Sequence, residues 1–197
     1  MSKSPAPPIS GSRTEKRVCD LFGIKARFLR SAQLERDFDD PGAFSGYVVT
    51  DFTRSCLERM AAGLKLSSGQ RAWRTTGDYG SGKSSFALLL AHLLAGHESS
   101  LPPQIRQAVD LSQFGVACPR FVPVLVTCAR QSLGLAIVRG LQRTLSRLYK
   151  RGAKSRLALE VGQLLDNNQE PTDDQVLDLI LETSSRLLRS TRRFCQS

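Results

Sequence analysis

The stretch Gly77-Asp78-Tyr79-Gly80-Ser81-Gly82-Lys83-Ser84 constrains this chain more than any other, because it satisfies G-x-x-x-x-G-K-[ST] at every fixed position. Glycines at these places let the backbone curl until successive N–H groups point at one centre. The helix that follows adds the positive end of its dipole to the same anion site. Lys83 brings a point charge for the β- and γ-phosphates, and Ser84 brings a hydroxyl for Mg²⁺. The expected ligand is a nucleoside triphosphate, ATP first, held by Gly77, Asp78, Tyr79, Gly80, Ser81, Gly82, Lys83, Ser84 and Ser85 with Mg²⁺ at Ser84. Larger side chains at Gly80 or Gly82 would fill the cradle or strain its backbone.

The flanking pattern predicts an α/β fold: an incomplete P-loop NTPase domain, a parallel sheet flanked by helices, behind a small helical N-terminal region. Residues 1–13 read as a disordered tail, 14–69 as the helical region and 70–197 as the nucleotide-binding domain. Within 14–69, a short helix over Thr14–Leu21 precedes one from Asp51 to Gly63, capped by Thr50, with Phe52, Cys56, Leu57 and Met60 on one face. Gln70–Thr76 reads as a strand, and Lys83–Leu94 as a helix apolar nearly all round, ended by Gly96. A short helix follows from Ser100 to about Leu111. The run Phe121–Cys128 is continuous and β-branched, as in a strand covered on both faces, with Pro123 pointing to an edge or a strand start. Ser132–Lys150 reads as a helix with Leu133, Ile137, Leu141, Leu145 and Leu148 inward, and Ser155–Leu165 as another. Thr172 and Gln175 form a capping box for a last helix to about Ser190.

Binding a triphosphate is not hydrolysing it, which also needs an acid closing an apolar strand to hold the metal. The candidates are Asp110, Asp166 and Asp178 with Glu182. All fall in helical patterns, so none supplies that acid convincingly.

Composition narrows the remaining classes. No apolar run approaches the roughly 20 residues needed to span a bilayer, which predicts a chain without a membrane anchor. Five scattered cysteines and two histidines, with no Cys-x-x-Cys, argue against zinc and against a disulfide framework, so the expected place is the cytoplasm. The formal charge is +10, and no acidic residue lies between Asp110 and Glu160. Arg139, Arg143, Arg147 and then Lys150 or Arg151 stripe one helix face there. That stripe is a candidate contact for nucleic-acid phosphates, or a solvated face, or one that meets an acidic neighbour such as the Glu160–Glu182 stretch. With Tyr149 alone beside it, stacking on bases has no support. Trp73 reads as core rather than as an adenine platform, and Arg130 as a candidate intersubunit or sensor arginine.

The run from Thr76 to Leu94, with Tyr79 inside the loop and Phe86 after it, resembles the P-loop of large bacterial ATPases of the AAA/STAND kind, several of which are encoded among phage-defence genes. The likeness extends loosely from Phe28 to Leu188. It implies ATP and Mg²⁺ as ligands, and self-association or further domains of a longer protein as partners. In such proteins a helix like Asp173–Leu188 precedes an apolar strand ending in Asp-Glu, so the expectation is a front portion cut off before that strand, without turnover of its own. Two other functions stay open: a self-sufficient small NTPase or phosphotransferase, and a basic nucleic-acid-binding fragment.

Overall fold

The computed structural model describes Arg17, Gly23 and residues 32–64, 67–115, 121–127, 130–149, 156–166 and 170–194. The chain divides into two compact units, Met1–Ser31 and Ala32–Ser197, and everything below concerns the second. The expected tail over 1–13, the helix Thr14–Leu21, Lys150, Arg151 and Cys128 lie outside the described residues.

Among the described residues every regular element is helical. These are α1 (Leu34–Asp37), α2 (Asp51–Gly63), α3 (Lys83–Ala95), a 3-10 turn (Glu98–Ser100), α4 (Pro103–Ala108), α5 (Ser112–Gly115), α6 (Leu133–Leu148), α7 (Arg156–Asp166) and α8 (Asp173–Phe194). The expected parallel sheet is therefore corrected: neither 70–76 nor 121–127 is a strand. β-branched composition favours extended backbone, but a strand also needs a second backbone to pair with. Here the Phe121 N–H donates to the Leu94 carbonyl at 3.0 Å. The Thr127 N–H donates to the Glu35 carboxylate at 2.8 Å. Among the described residues no ladder forms, and Arg71–Thr76 has no backbone hydrogen-bond partner.

Local signals explain where the helices start and stop. The Thr50 hydroxyl accepts from the Thr53 N–H at 3.1 Å and opens α2. Gly96, at φ 69°, closes α3. Thr172 and Gln175 exchange both hydrogen bonds of their capping box, at 3.0 and 3.3 Å, ahead of α8. After α2 the chain folds back on itself. The Ser68 hydroxyl donates to the Gly63 carbonyl at 2.6 Å and accepts from the Gln70 N–H at 3.2 Å. A Cβ at Gly63 would lie 2.8 Å from the Gln70 carbonyl oxygen and 2.9 Å from the Trp73 ring, so only glycine permits this closure.

Two apolar clusters hold the unit. The first gathers Leu88, Leu89 and Leu93 of α3 with Phe38, Phe44, Leu57, Leu101, Ile105 and Leu125. The second gathers Val138, Leu141 and Leu145 of α6 with Val161 of α7 and Val176 and Leu179 of α8. Each fully buried Leu contributes about 1.5–3 kcal/mol through removal of apolar surface from water.

Residues 121–127 run between the clusters. Leu125 enters the first, while Val124 and Val126 lie against Gly140 of α6, where a Cβ would come within 3.2 and 2.8 Å of their methyl groups. One α6 turn further on, Thr144 donates to the Pro123 carbonyl at 3.1 Å. Position 125 thus meets 140 and position 123 meets 144, so the segment runs antiparallel to α6. Two extended residues advance about 6.6 Å and four helical ones about 6 Å, so the two registers match. The inner face of α6 is Ala136, Gly140 and Thr144 with Val138, Leu141 and Leu145. Leu133 and Leu148, expected inward, are exposed, as is Phe52 of α2.

A candidate phosphate-binding loop

The backbone between Gly77 and Ser84 curls through two left-handed glycines, Gly80 at φ 82° and Gly82 at φ 83°. Nothing lies within 4 Å of a Cβ built at either. The need for glycine there is therefore conformational rather than a matter of space. Ser81 closes the turn, its N–H donating to the Asp78 carbonyl at 3.2 Å. The first hydrogen bond of α3 then runs from the Phe86 N–H to the Gly82 carbonyl at 2.9 Å.

Among the backbone donors of the loop that have no partner among the described residues are the N–H groups of Gly80, Gly82, Lys83, Ser84 and Ser85. The last three are the orphan donors of a helix N-terminus. Residues 77–82 are all exposed, Tyr79 at 96%.

Lys83 folds back over the turn. Its ammonium donates to the carbonyls of Gly77 at 2.8 Å and Asp78 at 2.6 Å, and contacts the Ser81 hydroxyl at 3.4 Å. No carboxylate neutralises it among the described residues. A cation, several unpartnered N–H donors and a helix dipole thus share one turn, an arrangement that attracts an anion with several oxygens. The Ser84 hydroxyl has no hydrogen-bond partner among the described residues and sits in the first turn of α3. No group of three or more His, Cys, Asp or Glu side chains fit to hold a metal occurs among the described residues. A hard cation at Ser84 would therefore take its other oxygens from phosphate and water.

The acids sought for hydrolysis have other places. Asp110 caps the short α5, accepting from the Ser112 N–H at 3.1 Å and from its hydroxyl at 2.5 Å. Asp166 ends α7, and Asp178 and Glu182 lie in α8. The two α8 acids line, with Glu160, a shallow depression of about 400 Å³ between α7 and α8. Its charge is wrong for phosphate.

The arginine stripe of α6 faces inward on charge. Arg143 pairs with Glu35 at 2.7 Å. Arg147 pairs with Asp39 at 2.8 Å, donates to the Glu35 carbonyl at 2.9 Å, and lies 5.2 Å from the centre of the Phe38 ring. Arg139 donates to the Gln131 amide oxygen. For Arg143 and Arg147 the acidic neighbour is the 33–40 segment.

Sequence reasoning passed over Glu35, which holds Arg143 and the Thr127 N–H together. It also passed over His92, 5% exposed between Phe38 and Phe44. Its Nε2 lies 3.0 Å from the Phe38 carbonyl, an acceptor only, so Nε2 carries the proton. Burial, with His97 adding to it, holds the His92 pKa below its ordinary value near 6.5. Trp73, expected in the core, is instead exposed, with the Arg59 guanidinium 5.8 Å from its ring.

No helix among the described residues is long and apolar enough to cross a membrane. No protein-family model matches the chain, and neither a curated protein nor a solved structure matches it.

Proposed function

We propose that this chain binds a nucleoside triphosphate, ATP in the first place, in the turn formed by Gly77–Ser85. The observation that carries this reading is that unpartnered N–H groups and the unneutralised Lys83 ammonium share one turn built from two left-handed glycines. The N–H groups of Gly80, Gly82, Lys83, Ser84 and Ser85 accept phosphate oxygens. Lys83 exchanges its carbonyl partners for the terminal phosphates, and Ser84 offers its hydroxyl to Mg²⁺. Binding without turnover is the activity of this chain, since Asp166 and Asp178 sit in helices and Asp110 serves as a cap. The likeness of the loop to AAA/STAND-type ATPases supports a role in which nucleotide occupancy, rather than chemistry, is the output, with partner domains reading it. The scattered thiols fit a reducing cytoplasm.

Calorimetric titration of the chain with ATP, with and without Mg²⁺, tests this. Saturable binding that is lost in Lys83→Ala, with magnesium dependence lost in Ser84→Ala, is the expected result. Unchanged affinity in Lys83→Ala at intact helicity overturns it, and steady hydrolysis by the isolated chain overturns the claim of binding alone.

A further inference from the structure

The last helix, α8, carries apolar residues on two sides. Val176 and Leu179 join the second cluster, and Thr183, one turn on, is buried as well. A different side leaves Leu177, Ile180 and Leu181 in water, 55%, 38% and 57% exposed, at the i, i+3, i+4 spacing that gathers them on one face. Positions 177, 181, 184 and 188 step by four, three and four, which is the seam of a helix that pairs with another. The Ser184 hydroxyl donates to the Ile180 carbonyl at 2.9 Å, so it brings no orphan donor to an apolar contact. The charge along α8 shows what fits this face. Asp173, Asp174, Asp178 and Glu182 occupy its first half without a base, and Arg186, Arg189, Arg192 and Arg193 its second half without an acid. Glu182 and Arg186 pair with each other across one turn. Asp174 and Asp178 are exposed and have no ion pair among the described residues. The helix dipole favours acids first and bases last, but it does not account for an apolar seam left in water beside them.

We propose that two copies of this chain pair through α8, antiparallel, about a two-fold axis that passes between positions 181 and 184. In that register position 177 of one copy meets position 188 of the other, leucine on leucine, and Leu181 meets Ser184. Positions 174, 178, 189 and 192 follow one flank of the seam by the helical repeat. The same axis therefore sets Asp174 against position 192 and Asp178 against position 189, both arginine. Every such contact occurs twice, as an isologous interface requires. A parallel pair would set acid on acid and arginine on arginine, which costs stability rather than adding it. The seam and its charges thus complement themselves, and the occupant that supplies that complement is a second copy. One helix against one buries less than a standard interface, so the expected dissociation constant is on the order of micromolar. The proposal is independent of nucleotide binding.

Sedimentation velocity of the full chain under reducing conditions, from about 1 to 200 µM, reads the association. A monomer–dimer equilibrium is expected, weakened at least about tenfold by Leu181→Asp at unchanged circular dichroism. Asp174→Arg with Asp178→Arg should abolish pairing, and so should Arg189→Asp with Arg192→Asp. An equimolar mixture of those two double variants should restore a dimer, because each then meets the opposite charge. This mixture keeps the test valid should Leu181→Asp misfold. Orientation is read by oxidation: a Leu177→Cys chain mixed with a Leu188→Cys chain should cross-link faster than either chain alone. A chain that stays monomeric at the highest concentration overturns the proposal, as does any stoichiometry other than two. So do a dimer unchanged in folded Leu181→Asp, a mixture that fails to pair, or fastest cross-linking of the Leu177→Cys chain with itself.

Discussion

The loop at 77–84 and the arginine face of α6 are both cationic, and they differ in what surrounds them. Arg143 and Arg147 find Glu35 and Asp39 inside the same unit, so the α6 charge is spent on holding the 33–40 segment. Lys83 finds only carbonyl oxygens, which orient it without neutralising it. A positive charge in a sequence thus marks a binding site only when the fold leaves it uncompensated. The acid-free interval between Asp110 and Glu160 suggested a positive field, yet its neutralising partners lie 108 residues away along the chain. The loop, carrying one lysine, is the better anion site.

Four experiments break or sharpen that contrast. Lys83→Ala should produce the largest effect, lowering ATP affinity roughly thirtyfold or more at unchanged circular dichroism, since charge-assisted hydrogen bonds contribute about 2 kcal/mol. Glu35→Ala should cost about 1–2 kcal/mol of stability, read as a lower urea midpoint at unchanged slope, because it orphans the Thr127 N–H and Arg143 together; the figure allows for Arg143 being 42% exposed. The same variant should gain salt-sensitive DNA binding in a mobility-shift assay if compensation is what silences α6, and no gain would break the comparison.

Gly80→Ala should cost about 1 kcal/mol in thermal melts through its left-handed backbone alone, with ATP weakened in parallel. Gly80→Asn should be milder. The smallest effect belongs to His92, which stands between the two regions, on the helix that starts at the loop and against the Phe38 ring beneath Arg147. Its folded pKa is lowered by burial, so the stability it gives is present above its unfolded value near 6.5 and is lost as pH falls through and below it. Chemical denaturation across pH 5 to 8 should show that loss in the wild type and a flatter profile in His92→Gln.

What was legible in the sequence was local. Thr50, Gly96 and the Thr172–Gln175 box act on residues three or four positions away, so composition alone placed those helix ends. The glycine loop was legible for the same reason. The sheet was not, because β-branched residues specify an extended backbone and not the second backbone that pairs with it. The inner face of α6 was also misplaced. Leucines marked Leu133 and Leu148 as core, whereas a close-approaching chain selects the small residues Ala136, Gly140 and Thr144, spaced every four. Glu35 carried no signal of its own, since a lone carboxylate in a short acidic segment looks like surface until Arg143 and Thr127 arrive.

The closure at Gly63 has a mechanical consequence. Ser68 and the tight approach of Gln70 fix the chain just before Arg71, and the first turn of α3 fixes it again after Gly82. Between those anchors Arg71–Thr76 has no backbone hydrogen bond to another described residue that would resist sideways movement. A rigid rod leaves the other side of the loop: α3, packed from Leu88 to Leu93 in the first cluster. Any push on the loop therefore dies out toward α2 and is carried along α3, arriving at His92 and the Phe38 carbonyl it holds.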